Sequence, residues 1–259
     1  MHKHPTLQLI GLNDFPLVFP GDDIGELVIS TCKNQHIDLL DNDVIVITQK
    51  IVSKAENQIY SLDRIKPGIK AKIVSWICQK NPRFVQLVLN ESKRILRMRK
   101  NTLIVEHNNG FVCANAGIDH SNVDSDPDGL SEKYLLLPKS PDKSASKIRE
   151  TLEKHTKTRL GVLIIDSHGR AWRNGTIGMT IGLSGVPGLV DLRGREDLFG
   201  FKLKITMVGA ADELAAGASL LMGQAKEGVP VVIARGFPYP LRESKMQELI
   251  RNKKDDLFR

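Results

Sequence analysis

Six short runs rich in β-branched residues limit the folds open to this chain: 44–48, 103–105, 111–114, 162–165, 205–208 and 231–234. Each reads as one strand. Helical patterns lie between them, but strand and helix do not alternate steadily. An α+β architecture with mixed or antiparallel sheets and packed helices therefore fits better than a doubly wound parallel sheet. Ile24, Leu27, Val28 and Cys32 share a face after the Gly21-Asp22-Asp23 turn, where Asp23 is placed to cap a helix. Ile69, Ile73, Trp76 and Ile77 repeat that spacing as the expected buried face of a second helix. Pro82 opens a third, with Phe84, Val85, Val88 and Leu89 for its buried side. Ser140-Pro141-Asp142 starts a fourth, the serine hydroxyl as cap and Ala145, Ile148 and Leu152 as its stripe. Ala215, Ala216, Gly217, Ala218 and Ser219 predict a helix packed closely within the fold or across a dimer seam. The Asp-rich stretch 122–132 reads as a surface loop that could join two lobes.

Composition narrows the function. Of 259 residues, 41% are hydrophobic and 26% charged, which is ordinary globular usage and excludes a fibre or a disordered chain. Cys32, Cys78 and Cys113 have neither C-x-x-C spacing nor a disulfide framework, so a reducing, cytoplasmic home is expected. No apolar run is long enough for a membrane span and no secretory leader opens the chain, so a soluble protein is expected. Basic residues number 37 against 30 acidic, a net charge of +7. That balance suits a nucleotide, a phosphorylated cofactor or nucleic acid. Arg94, Arg97, Arg99 and Lys100 form one cluster, Arg193 and Arg195 a second, and Arg251, Lys253 and Lys254 a third. With aromatics at 5%, a stacking platform for single strands is poorly supplied, which puts anionic small molecules first and nucleic acid second.

Two acidic residues stand where apolar runs stop. The run at 111–118 leads to Asp119, and 162–165 leads to Asp166. A carboxylate at a strand end suits a hard divalent cation that bridges protein to phosphate, or else it forms a turn. The glycines at 175–188 match no standard nucleotide fingerprint and read as a loop that either lets amides approach an anion or simply turns. Lys54, just after a buried run, can reach a phosphate or lie on the surface. Arg170, Arg173, Arg193 and Arg195 are either anion contacts or plain surface charge. No G-x-S-x-G elbow occurs, no cysteine has a suggestively spaced histidine, and His120 and His168 lack metal-ligand spacing. Chemistry by metal and positioned charge remains.

Taken together, many dispersed blocks resemble one family. They include Gly21-Asp22-Asp23, Val52-Ser53-Lys54-Ala55-Glu56, Phe84-Val85-Gln86, Asn115-Ala116-Gly117-Ile118-Asp119, Leu135-Leu136-Leu137-Pro138, Asp166 through Arg170, Ser184-Gly185, Gly194-Arg195, Ala211-Asp212-Glu213 and Leu221-Met222-Gly223. In that order they resemble the coenzyme F420-0:L-glutamate ligases, also called F420 γ-glutamyl ligases. The resemblance implies a GTP-dependent enzyme that adds L-glutamate to the lactyl-phospho side chain of a deazaflavin cofactor, then further γ-linked glutamates. It implies Mg²⁺ or Mn²⁺, with K⁺ assisting, and an intertwined homodimer of α+β fold with two lobes. A single domain over 1–259 is expected, without the fused C-terminal reductase-like domain of some relatives.

The resemblance also assigns residues. Metal ligands fall on Asp119 and Asp166, with a hydroxyl from Ser167 where threonine is expected. Nucleotide contacts fall on Phe15, Pro16, Leu17, Val18, Gln49, Lys50, Lys54 and Asn122. They continue through Met222, Gly223, Gln224, Ala225, Lys226, Glu227, Gly228 and Val229. Lys54, Asp119 and Asp166 are the expected catalytic groups. Gln224 stands where a glutamate ligand is expected and keeps only a neutral carbonyl oxygen. Gln49 and Lys50 replace small hydroxyl residues. Two other readings stand beside this one: a nucleotide-dependent ligase that glutamylates a different phosphorylated carboxylate, and a basic nucleic-acid-binding protein suggested by the Arg94 to Lys100 cluster.

Overall fold

The computed structural model describes residues 4–120 and 133–258. In chain order the elements are β1 (Gln8–Gly11), α1 (Ile24–Asn34), β2 (Val44–Thr48), α2 (Gln49–Ala55), β3 (Ile59–Ser61), α3 (Ile69–Cys78) and α4 (Pro82–Asn90). They continue with β4 (Ser92–Arg99), β5 (Thr102–His107), β6 (Val112–Ala114), β7 (Lys133–Leu135) and α5 (Pro141–Thr156). The last are β8 (Gly161–Arg170), β9 (Arg173–Ser184), β10 (Val190–Asp191), β11 (Met207–Val208), α6 (Ala210–Met222) and β12 (Val231–Arg235).

The main sheet runs β1-β12-β2-β8-β9. Only β2 and β8 pair in parallel, so the sheet is mixed. Val44, Ile45, Val46 and Ile47 are fully buried because β2 is central and covered on both faces, as its unbroken apolar run predicts. Ile45, Ile47, Val162 and Ile164 face α1 and α5, while Val44, Val46, Leu163 and Ile165 face α6. Between β2 and β8 the chain builds a second layer, the antiparallel sheet β4-β5-β6, backed by α3 and α4 around Leu103, Val105, Val74 and Val88. The architecture is α+β with mixed and antiparallel sheets, as expected.

Several local expectations need correction. The helix at α3 forms, but Ile69, Ile73 and Trp76 are largely exposed, and Ala71, Val74 and Cys78 are buried instead. Small residues win that face because α3 lies close against α4 and β4. Ser140 makes no side-chain cap, whereas Asp142 accepts hydrogen bonds from Leu183 N at 3.0 Å and Met246 N at 3.2 Å, tying α5 to distant backbone. By contrast Asp23 does cap α1, accepting from Gly25 N at 2.9 Å. The glycines at 175–182 are not a loop but belong to β9. A Cβ on Gly178 would meet Ala215 O at 2.5 Å, and one on Gly182 would meet Pro141 Cβ at 2.4 Å, so these glycines admit α6 and α5 against the strand. The small-residue helix therefore packs within the fold. Of the run at 205–208 only Met207 and Val208 are strand, and Ile205 is exposed. The loop at 122–132 and Asn122 lie outside the described residues.

Candidate active site

Neither acidic residue sits at a simple strand end. β8 runs on past Asp166 to Arg170, and β6 stops at Ala114, before Asp119. Asn115, Ala116 and Gly117 all take positive φ, at 51°, 56° and 66°. Two non-glycine residues in that region cost about 1–2 kcal/mol each, strain that concentrates where a chain must be aimed. The turn delivers Asp119 to a two-bond bridge with Leu135, N to O at 3.0 Å and 2.8 Å. Asp166 is fixed by sheet register opposite Met179.

Both carboxylates line one cavity of about 640 Å³. Phe15, Pro16, Leu17 and Val18 form one wall, Lys50 and Lys54 on α2 a second, and Met222, Gly223, Gln224, Ala225, Lys226, Gly228 and Val229 a third. Ser167 is there too, donating its hydroxyl to Gln224 Oε1 at 2.9 Å. Lys50 Nζ lies 2.9 Å from Asp119 Oδ2. Among the described residues no carboxylate lies within 4.0 Å of Lys54.

Two expected contacts are not on the wall. Gln49 is wholly buried and accepts from Ser53 Oγ at 2.9 Å, because the first turn of α2 points it inward. Glu227 folds back, its carboxylate accepting from Ala225 N at 2.7 Å, and hydrogen bonds from the loop amides hold its pKa below the usual glutamate value. Gly223 makes this possible, since a Cβ there would stand 2.1 Å from the Glu227 side chain and its φ is +67°. None of Arg170, Arg173, Arg193 and Arg195 lines the cavity. Arg193 pairs with Asp191, and Arg170 donates to Asn174 O.

Beneath Asp166 lies a buried polar layer that the sequence did not reveal. His168 Nε2 is 3.1 Å from Asp166 Oδ2, and its ring lies 5.5 Å from that of Phe111, which in turn stacks on His107 at 4.9 Å. Burial, then the neighbouring His168, pushes His107 down to about 4, so it is neutral at pH 7. Cys113 is pushed up to about 12 by burial and by the charge of Asp166, and burial pushes Cys32 up to about 11. Neither is a thiolate nucleophile at neutral pH. Thr48, Ile118 and Pro230 also line the cavity, without a composition signal to mark them.

Among the described residues no group of three His, Cys, Asp or Glu side chains could hold a metal. The local donors are two carboxylates, a hydroxyl and an amide oxygen. Such a hard-oxygen set fits Mg²⁺ or Mn²⁺, which take one or two carboxylates and complete their shell with water and phosphate oxygens. A second cavity of about 540 Å³, lined by Pro187, Leu189, Tyr239 and Arg242 among others, takes in Arg195 but none of the expected metal or nucleotide contacts. No described helix is long and apolar enough to cross a membrane.

Residues 13–236 match the family model for F420-0:gamma-glutamyl ligase. A coenzyme F420:L-glutamate ligase of Methanothermobacter thermautotrophicus is 46% identical over 255 residues, covering 98% of this chain and 99% of that protein. Proteins of the same name from Methanocaldococcus jannaschii and Archaeoglobus fulgidus are 43% and 38% identical, each over 98% of this chain and 97% and 96% of their own lengths. The chain belongs to the F420-0:gamma-glutamyl ligase family.

Proposed function

We propose that this protein is a GTP-dependent ligase that joins L-glutamate to F420-0, and then to the product, through an acyl phosphate. The observation that carries this reading is the convergence of five separate segments on one cavity, with every described site residue on its wall except Gln49 and Glu227. A carboxylate does not acylate an amine at useful rates because oxide is its leaving group. Attack of the acceptor carboxylate on the γ-phosphorus breaks the bond to the β–γ bridging oxygen and releases GDP. The glutamate amine then attacks the acyl carbon, phosphate leaves, and the amine gives up its proton. Asp119 and Asp166, with Ser167 and Gln224, would hold Mg²⁺ or Mn²⁺, which supplies neutralising charge at the phosphate oxygens. Lys54 adds fixed positive charge, and Phe15 to Val18 give the cavity an apolar edge beside it.

Incubation with F420-0, GTP, Mg²⁺ and L-glutamate followed by mass spectrometry tests the reading. Nucleotide-dependent gains of one glutamyl mass are expected; glutamylation of a different phosphorylated acceptor alone, or none, would refute it. A homodimer belongs to the same proposal. The arm between β10 and β11 carries Leu198 and Phe199 at 98% and 94% exposure, apolar surface that a second copy would cover. Light scattering should give twice the chain mass, and Phe199→Asp should lower it.

A further inference from the structure

The basic run on β4 lines no wall of the cavity, yet strand register carries it to the cavity's edge. Arg97 pairs with Ile104, and Ile104 with Ala114, so the three side chains stand in one row on one face of the sheet. Ala114 lines the cavity. Two strand spacings put Arg97 about 10 Å from it, backbone to backbone. Arg99 stands on the same face, opposite Thr102.

The neighbouring row is Arg94, Glu106 and Val112. Glu106 is buried and holds both Arg94 at 2.7 Å and Lys253 at 3.1 Å. Two basic clusters far apart in sequence therefore meet on one face, against one carboxylate. The opposite face, with Ile95, Leu103 and Val105, is packed against α3 and α4. No aromatic side chain stands at the outward positions of these strands, so the face lacks the stacking surface of a single-strand binder.

We propose that this outer face is an anion track that continues the cavity. It holds the stretch of the acceptor behind the reacting carboxyl, a phosphodiester at first and the α-carboxylates of added glutamates later. This rests on the ligase reading above.

The test is the Arg97→Ala/Arg99→Ala double variant, assayed by steady-state kinetics and by fluorescence titration of the deazaflavin acceptor, which needs no turnover. The acceptor KM and Kd should rise about tenfold while the GTP KM stays unchanged, since a charge-assisted hydrogen bond is worth that factor. Products should carry fewer glutamates, and Arg97→Lys/Arg99→Lys should recover most of the affinity. Unaltered acceptor binding in the alanine variant overturns the track while leaving the ligase reading intact. Loss of oligonucleotide binding with acceptor binding unchanged would assign the face to nucleic acid and also overturn it. A wild-type protein that binds the acceptor but forms no product sinks the ligase reading alone, and one that does not bind it sinks both.

Discussion

The two cavities assemble their charges from different distances along the chain. Around the second, both lining carboxylates are gripped by arginines near them in sequence, Arg242 donating to both oxygens of Glu248 at 2.8 Å and 2.7 Å and Arg193 to Asp191, while Arg195 makes no ion pair among the described residues. In the first, Asp119, Asp166, Lys50 and Lys54 converge from elements far apart in sequence, and Lys54 has no carboxylate within ion-pair distance among the described residues. Matched pairs at a surface add modest stability. Convergent charges are worth assembling when a ligand completes them.

The sharpest way to break that contrast is to neutralise each side. Asp166→Asn or Asp119→Asn should lower kcat for glutamylation by about 100-fold or more with the thermal midpoint nearly unchanged. Arg242→Ala should leave kcat as it is and cost at most about 1 kcal/mol of stability in denaturant titrations, the pair being half exposed. Equal activity losses from both would erase the distinction.

The polar layer under Asp166 offers a second probe, smaller and in stability rather than rate. His107 titrates near 4 when folded and near 6.5 when unfolded, so below pH 6.5 the unfolded chain binds the extra proton first. Stability should therefore be full above pH 6.5 and fall toward pH 4, by about 3 kcal/mol over the window. In His107→Phe that slope should flatten. An unchanged slope would place the titration elsewhere.

Gly178→Ala links core to site. Its new methyl presses on Ala215 O, pushing α6 away by a fraction of its spacing at a cost of about 1–3 kcal/mol. Because α6 ends at the Met222 to Val229 loop, the GTP KM should rise a few-fold.

Much of this was legible in the sequence wherever one signal had one outcome. The run at 44–47 is apolar throughout and can only be a covered strand, and Asp23, standing just before Ile24, can only cap α1. Most of the residues that the resemblance assigned stand on one cavity, beside Thr48, Ile51 and Pro230, which no block marked. Elsewhere one pattern allowed two outcomes. The stripe of Ile69, Ile73 and Trp76 predicts a helix correctly but not which face packs, because close approach to α4 favours Ala71 and Val74. Glycines at 178 and 182 signal proximity of backbone, which a loop and a strand under two helices share. Gln49 and Glu227 fall at positions the resemblance assigns to nucleotide contact, yet helix phase buries the first and the positive-φ turn at Gly223 lets the second fold back. The His168 contact with Asp166 follows once β8 runs on past Asp166, since residues two apart on a strand share a face, but reading Asp166 as the strand's end hid it.

Equilibrium titration of Mn²⁺ with GTP, followed by the manganese EPR signal, tests the cavity directly. Wild type should bind the pair and Asp119→Asn/Asp166→Asn should bind it at least about 100-fold more weakly, with the fold intact. Equal binding by the two proteins would contradict the role given to these carboxylates.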